Sequence, residues 1–186
     1  MTNNLEKATL AGGCFWCTEA IFKRLKGVES VLPGYAGGHV ENPNYDDVSD
    51  GITGHAEAIQ IEFDPKVIPY KKLLEVFWHT HNPTTLNRQG NDVGTQYRSE
   101  VFYHTEEQKN DAEQVKAQLE KEKAFRDPIV TEITKFTNFY VAENYHKDYF
   151  EKHPEAPYCS VVIDPKVKKL LDQYGEIVKP EFGLET

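Results

Sequence analysis

Residues 8–25 read ATLAGGCFWCTEAIFKRL and contain, in order, a strand, a tight turn and the start of a helix. The apolar residues 8–11 predict the strand, and Gly12 and Gly13 predict the turn after it. Residues 18–25 have the composition of a helix. Short strands and helices continue to alternate along the chain, so the sequence predicts an α+β or α/β domain with one mixed sheet.

Cys14 lies at the predicted start of this helix. There, backbone N–H groups and the positive end of the helix dipole stabilise a thiolate, so we expect a lowered pKa for the thiol. Phe15 and Trp16 follow directly and add apolar surface. The sequence therefore predicts a nucleophilic cysteine beside an apolar pocket, and the alternative is a small, buried, unreactive cysteine.

The composition limits the class of protein. The chain has 186 residues, a formal net charge of −9 and three cysteines. An acidic chain without a basic run argues against nucleic acid or a membrane as a partner. The N-terminus has no apolar signal segment and the cysteine count is odd, so we expect a cytoplasmic protein without structural disulfides. We expect one catalytic domain over 1–186 that acts as a monomer, with a core at about 6–175 and a loose C-terminal tail.

Glu57 belongs to a segment with the alternation of a half-buried strand. Ile59, Ile61 and Phe63 share one face of this strand, and Glu57 has the same parity. We therefore expect its carboxyl group on the apolar side of the sheet, where loss of solvation favours the protonated form. That is the profile of a general acid. The alternative is a solvated carboxylate at the rim of the sheet.

Cys17 completes a Cys-x-x-Cys pattern with Cys14. Such pairs occur in thioredoxin-like enzymes and as one half of a zinc site. The sequence has no second Cys-x-x-Cys, and His79 and His81 follow a helix without a matching ligand spacing, so we expect no metal. Cys17 can also simply face the core.

Two long glycine-containing loops carry further polar candidates. Tyr45 lies in the first loop and Tyr97 in the second; a phenol donates hydrogen bonds and stays neutral at pH 7, although loop packing explains such tyrosines equally well. Asp92 either caps a turn or orients a partner. His146 and Asp148 would suggest a Cys–His hydrolase, but no spacing connects them to the N-terminal cysteine.

Six blocks of this sequence resemble, in the same order, those of the peptide methionine sulfoxide reductase A family, and the resemblance covers about residues 6–160. The blocks are 12–17 (GGCFWC), 34–38 (GYAGG), 42–45 (NPNY), 54–58 (GHAEA), 90–99 (GNDVGTQYRS) and 145–149 (YHKDY). The resemblance implies an α+β fold: a single two-layer domain with a mixed β-sheet, packed helices, a ferredoxin-like core and long functional loops.

The same resemblance implies a role for each matching polar residue. Cys14 would be the nucleophile and Glu57 the acid. Tyr45 and Tyr97 would donate hydrogen bonds to the sulfoxide oxygen, and Asp92 would support the site. The implied role of Glu57 agrees with its parity on the strand.

The implied reaction is reduction of the S epimer of methionine sulfoxide, free or in proteins, with Phe15 and Trp16 around the substrate methyl group. The oxygen passes to Cys14, which becomes a sulfenic acid. A second thiol condenses with it to a disulfide, and thioredoxin or a similar reductant restores the enzyme. The reaction, which repairs oxidative damage, needs no metal or bound cofactor.

The resolving thiol is the point where the sequence departs from the family pattern. Many members have glycine at the position of Cys17, and some carry a glycine-rich arm with resolving cysteines. Here Cys159 stands near the expected position, but residues 160–163 read as a strand. We expect Cys159 as the resolver, slightly ahead of Cys17; direct reduction of the sulfenic acid is the third possibility.

Two other functions compete with the reductase. One is a thioredoxin-like disulfide oxidoreductase that uses Cys14 and Cys17, which reduction of insulin would detect. The other is a binding module for methionine-containing peptides, in which Cys14 is merely buried and reacts slowly with iodoacetamide.

Overall fold

A computed structural model describes residues 4–183 of the chain, and its main feature is a six-stranded sheet. The strands of the molecule are β1 (Glu6–Gly12), β2 (Val28–Ala36), β3 (Ala56–Phe63), β4 (Arg88–Gln89), β5 (Asp92–Val93), β6 (Ser99–Tyr103), β7 (Glu132–Lys135) and β8 (Phe139–Val141). The helices are α1 (Phe15–Phe22), α2 (Tyr45–Ser49), α3 (Tyr70–His79), α4 (Glu106–Lys121), α5 (Tyr149–Lys152) and α6 (Asp164–Tyr174).

The sheet has the strand order β7-β6-β1-β3-β2-β8, and β4 pairs only with β5 in a separate ribbon. All neighbours in the sheet are antiparallel except β6 and β7, which are parallel. The order β6-β1-β3-β2, with α1 and α3 as the crossover helices, is the ferredoxin-like arrangement. The predicted α+β fold with a mixed sheet and a ferredoxin-like core is therefore confirmed.

The main core lies between one face of the sheet and the helices. The predicted alternation of β3 is correct, because Ile59, Ile61 and Phe63 are fully buried while Gln60 and Glu62 keep some exposure. The apolar side chains that α1 and α3 contribute to this core include Phe15, Ile21, Phe22, Leu73, Leu74, Phe77 and Trp78. Burial of this apolar surface is the main stabilising contribution to the two-layer packing.

The residues that the sequence reads as a strand after Cys159 form a helix instead. Cys159–Ile163 is a π-helical segment that continues directly into α6. The β-branched residues at 161–163 suggest a strand, but burial follows helical spacing: Cys159 and Ile163 are buried, four residues apart, and Val161 is exposed. Tertiary packing has overridden the local preference here.

The C-terminal segment packs against the connection between α1 and β2. The N–H of Lys26 donates to the carbonyl of Ile177 at 2.8 Å, and the N–H of Lys179 donates to the carbonyl of Arg24 at 2.8 Å. The Arg24 guanidinium also lies 4.8 Å from the centre of the Phe182 ring. Residues 177–182 therefore pack on the domain where a loose tail is predicted, and residues 184–186 lie outside the described part of the chain.

No helix within residues 4–183 is both long enough and apolar enough to cross a membrane.

Candidate functional site

Cys14 is the residue immediately before α1, as the turn at Gly12 and Gly13 predicts. Gly13 has a φ of +89°, and a Cβ atom there would lie 2.5 Å from Cγ of Gln89. Only glycine fits this combination of left-handed backbone and close approach. The turn therefore fixes the Cys14 thiol at the helix N-terminus, beside the ribbon of β4 and β5.

The expected lowering of the Cys14 pKa is wrong. The side chain is only 8% exposed, and burial, followed by the interactions with Cys17 and Glu57, raises the pKa of this thiol. The backbone hydrogen bond from Trp16 acts in the opposite direction but is outweighed. Removal from water thus costs the thiolate more free energy than the helix terminus returns.

Glu57 lies on β3 with its carboxyl group inside the molecule, as its parity predicts. It is 1% exposed, and its Oε2 atom accepts the N–H of Phe15 at 3.0 Å. Burial is the largest cause that raises the Glu57 pKa to about 8, and the charge of Asp92 adds to it. This carboxyl group is therefore largely protonated at neutral pH, and it also interacts with the Cys14 thiol.

The two loops that carry Tyr45 and Tyr97 are tied together. Gln96, next to Tyr97, donates its side-chain N–H to the carbonyl of Ser49 at the end of α2, at 2.8 Å. The N–H of Tyr45 is held by the Glu143 carboxylate at 3.2 Å. Burial raises the pKa of both phenols, and so do the neighbouring charges that both share, those of Glu57, Cys14 and Asp92. Both phenols thus stay protonated donors near the thiol and the acid.

Asp92 accepts a hydrogen bond from a residue that the sequence reasoning missed. The Tyr158 hydroxyl donates to Oδ2 of Asp92 at 2.8 Å and lies 3.8 Å from the Cys17 sulfur. Asp92 is therefore connected to the cysteines through one phenol. In the sequence, only its position next to Cys159 points to Tyr158 as a site residue. The strand expected there would place its side chain away from the site.

Phe15 and Trp16, the two predicted pocket residues, differ in exposure. Phe15 is fully buried, with its ring centre 5.7 Å from that of Tyr35. Trp16 is half-buried, and its indole stacks on Tyr149 with 3.7 Å between ring centres and an angle of 6°. Trp16 thus offers accessible surface beside Cys14, whereas Phe15 packs in the core beneath the site.

All three cysteines are free, buried and part of one cluster. Its buried members are Cys14, Cys17, Ala20, Cys159 and Ile163. The interaction with the neighbouring Cys14 thiol, together with the Lys166 charge, lowers the pKa of Cys17 to about 7. Burial raises the pKa of Cys159. Cys17 is thus the most acidic of the three thiols and the one that interacts directly with Cys14.

His146 is not arranged as a base for the thiol. Its Nδ1 atom accepts the indole N–H of Trp16 at 3.0 Å, and burial lowers its pKa. These contacts indicate that His146 lines the site. They do not support a Cys–His hydrolase, in which His146 would act as the base. Within the described range 4–183, no group of three or more His, Cys, Asp or Glu side chains is arranged to hold a metal ion.

A buried thiol beside a protonated carboxyl group and phenol donors, on a ferredoxin-like α+β fold, defines a cysteine-dependent oxidoreductase. The model of the family described as peptide methionine sulfoxide reductase matches residues 6–177. The chain belongs to the peptide methionine sulfoxide reductase A family.

Relatives and solved structures agree with this assignment. The chain is 56% identical over 179 residues to "Peptide methionine sulfoxide reductase MsrA" of Saccharolobus solfataricus, covering 96% of this chain and 100% of the relative. It is 57% identical over 172 residues to the MsrA protein of Sulfolobus acidocaldarius, covering 92% and 97%. Mxr1 of Saccharomyces cerevisiae in its reduced form has a TM-score of 0.79 at 34% identity, covering 86% of this chain and 91% of Mxr1.

Proposed function

We propose that this protein reduces the S epimer of methionine sulfoxide, free or within proteins, and so repairs oxidative damage. The observation that supports this most is the buried Glu57 carboxyl group, which accepts the N–H of Phe15 next to Cys14 and has a pKa raised to about 8 by burial. Reduction of a sulfoxide requires a sulfur nucleophile and a proton for the departing oxygen, and these two groups supply them.

The first step transfers one oxygen atom and two electrons. The Cys14 sulfur attacks the sulfoxide sulfur, and Glu57 donates its proton to the oxygen, which gains negative charge. The Glu57 carboxylate then takes the thiol proton, so the raised pKa of Cys14 is no obstacle. Tyr45 and Tyr97 donate hydrogen bonds to the same oxygen, and Asp92 orients the polar side of the site. The products are methionine and a sulfenic acid on Cys14.

The second step forms a disulfide and releases the oxygen as water. Cys17 is the resolver in this proposal, because it lies three residues after Cys14 in the same buried cluster and its thiol pKa is lowered to about 7. A disulfide between Cys14 and Cys17 must still be accommodated in the first turn of α1. Cys159 belongs to the same cluster and is the alternative resolver. Direct reduction of the sulfenic acid by an external thiol remains the third route.

The reductant in this proposal is thioredoxin or a similar dithiol protein, which reduces the disulfide by thiol exchange. Mxr1, the yeast relative, has also been solved in complex with Trx2. We further propose that the chain is one catalytic domain that acts as a cytoplasmic monomer. Its net charge of −9 supports the absence of nucleic acid or membrane partners.

The test is consumption of each epimer of a methionine sulfoxide peptide with dithiothreitol, for the wild type and for Cys14→Ser. We expect loss of the S epimer alone, and only with Cys14 present. Consumption of neither epimer by the wild type would contradict the proposal. Insulin reduction in the same preparation would then favour the dithiol oxidoreductase, and its absence the binding module.

A further inference from the structure

Glu19 is a second buried glutamate, and the proposed reaction does not use it. It lies on α1, is 2% exposed and has a carboxyl pKa raised to about 7, chiefly by burial. Its two oxygens both accept the backbone N–H of Asp148, at 3.0 and 3.1 Å. The Glu19 carboxyl group, which is costly to bury, therefore binds one backbone N–H, that of Asp148, on another segment of the chain.

That segment is a turn with an uncommon backbone conformation. Asp148 has a φ of +56°, in the left-handed region that non-glycine residues rarely adopt. Its side chain is held by Lys23 at 2.7 Å, and the next residues are held by an ion pair between Arg24 and Glu151 at 2.9 Å. Glu19 thus binds the backbone of the turn at Asp148, and Lys23 and Arg24, which follow the end of α1, bind side chains of the same segment.

The residues on either side of this turn contact Trp16. His146, two residues before Asp148, accepts the indole N–H, and Tyr149, the next residue, stacks on the indole face. Trp16 and Glu19 are one helical turn apart on α1, so both face the same segment. The indole is therefore positioned by two side chains that flank Asp148, the residue whose backbone N–H Glu19 accepts.

We propose that Glu19 is a positioning residue for the substrate pocket, because it fixes the turn from which His146 and Tyr149 hold the Trp16 indole. This inference rests on the proposed function, in which Trp16 contacts the substrate methyl group. Contacts of this kind act in the ground state and the transition state alike, so a looser indole weakens substrate binding more than it slows the chemical step.

The charges around Glu19 come from four parts of the chain. Lys23 follows on the same helical segment, and Asp148 and Glu151 lie on the segment that Glu19 holds. A cavity of about 310 Å³ adjoins Glu19, and its further charged side chains are Glu29, Lys147, Lys179 and Glu181. The positive charges favour the ionised carboxylate, which is the better acceptor, but burial still keeps its pKa near 7.

The test compares Glu19→Ala and Glu19→Gln with a matched control. Gln108→Ala also removes a buried side-chain acceptor of a backbone N–H, that of His104 at 2.8 Å, but on α4 and not in the site. At pH 8 we expect KM for a methionine sulfoxide peptide to rise about tenfold in Glu19→Ala and about threefold in Glu19→Gln, which keeps one acceptor. Gln108→Ala should keep the wild-type KM, and kcat should change less than KM in both Glu19 variants.

Two outcomes would overturn the positioning role. One is a folded Glu19→Ala variant with the wild-type KM, and the other is an equal rise of KM in Gln108→Ala. If Glu19→Ala does not fold, the pH dependence of KM tests the proposal instead. As pH falls from 8 to 6, Glu19 becomes protonated, and the KM of the wild type should approach that of Glu19→Gln. A constant ratio of the two KM values over this range would contradict the proposal.

Tryptophan fluorescence separates failure of this inference from failure of the proposed function. The chain has two tryptophans, and Trp78 is fully buried in the core. A Trp78→Phe background leaves only the emission of Trp16, which should shift to longer wavelength in Glu19→Ala as the indole gains water. An unchanged emission contradicts the positioning role even if no sulfoxide is reduced, while an inactive wild type with this shift contradicts only the reductase.

Discussion

Glu57 and Glu19 are both buried glutamates that accept a backbone N–H, yet they serve different parts of the site. Glu57 accepts from Phe15 and faces the Cys14 thiol, whereas Glu19 accepts from Asp148 and faces a set of ion pairs. Burial raises both pKa values, to about 8 and about 7. The difference teaches that the neighbours of a buried carboxyl group, and not its pKa alone, decide whether it can act as an acid or only as an anchor.

The largest effect is expected when the Cys14 thiol, the reaction partner of Glu57, is removed. Cys14→Ser leaves both glutamates in place but removes the sulfur that accepts oxygen. We expect no methionine above the uncatalysed background, because a hydroxyl group cannot be oxidised to a sulfenic acid. The measurement is methionine formed per enzyme with dithiothreitol. Substantial turnover in this variant would show that Cys14 is not the nucleophile.

Glu57→Gln should have the next largest effect. The amide still donates a hydrogen bond but has no proton to transfer, so methionine formation in a single turnover should slow by about 10²-fold or more. Substrate binding should change little, in contrast to the KM effect expected for Glu19→Gln. Rapid-quench kinetics measures this rate. Equal losses in the two variants would remove the distinction between acid and anchor.

Replacement of the resolving thiol should affect recycling but not the first turnover. In Cys17→Ser, we expect one methionine per enzyme at the wild-type rate and a loss of about tenfold or more in thioredoxin-driven turnover. Cys159→Ser serves as the matched variant in the same buried cluster. If Cys159→Ser stalls and Cys17→Ser cycles normally, Cys159 is the resolver. Normal cycling in both variants would favour direct reduction.

The smallest effect concerns stability. Both folded-state pKa values lie above the ordinary glutamate value of about 4.3, so the stabilising contribution of each carboxyl group is complete below that value and is lost as pH rises from there to about 7 for Glu19 and to about 8 for Glu57. A pKa that differs by one between the folded and unfolded states corresponds to about 1.4 kcal/mol of unfolding free energy. Thermal unfolding should show a smaller fall of Tm between pH 5 and pH 9 in Glu57→Gln and Glu19→Gln. The exposed Glu113→Gln should keep the wild-type slope; an unchanged slope in all three would contradict the account.

The spacing of apolar residues and the glycine turn are enough to predict the elements that position the nucleophile. The glycine turn before Cys14 and the alternation that places Glu57 inside both follow from local pattern. The fold class can be predicted for the same reason. The roles of the individual side chains come from the family resemblance, and they remain predictions.

Features that depend on contacts between distant segments cannot be predicted in this way. The helix that contains Cys159 reads as a strand because burial against α1 cannot be seen in residues 160–163. The raised pKa of Cys14 follows from packing around the thiol, which outweighs the helix terminus. Glu19 gives one signal, a carboxylate within an apolar helix, but its partner lies 129 residues away in the sequence.

The most direct test of the central claim is the pH dependence of single-turnover methionine formation in the wild type and in Glu57→Gln. A protonated Glu57 with a pKa of about 8 predicts a wild-type rate that falls as pH rises above that value. Glu57→Gln should be slower throughout and should lack this fall, so the two rates should converge at high pH. Parallel profiles, separated by a constant factor, would contradict the role of Glu57 as the acid.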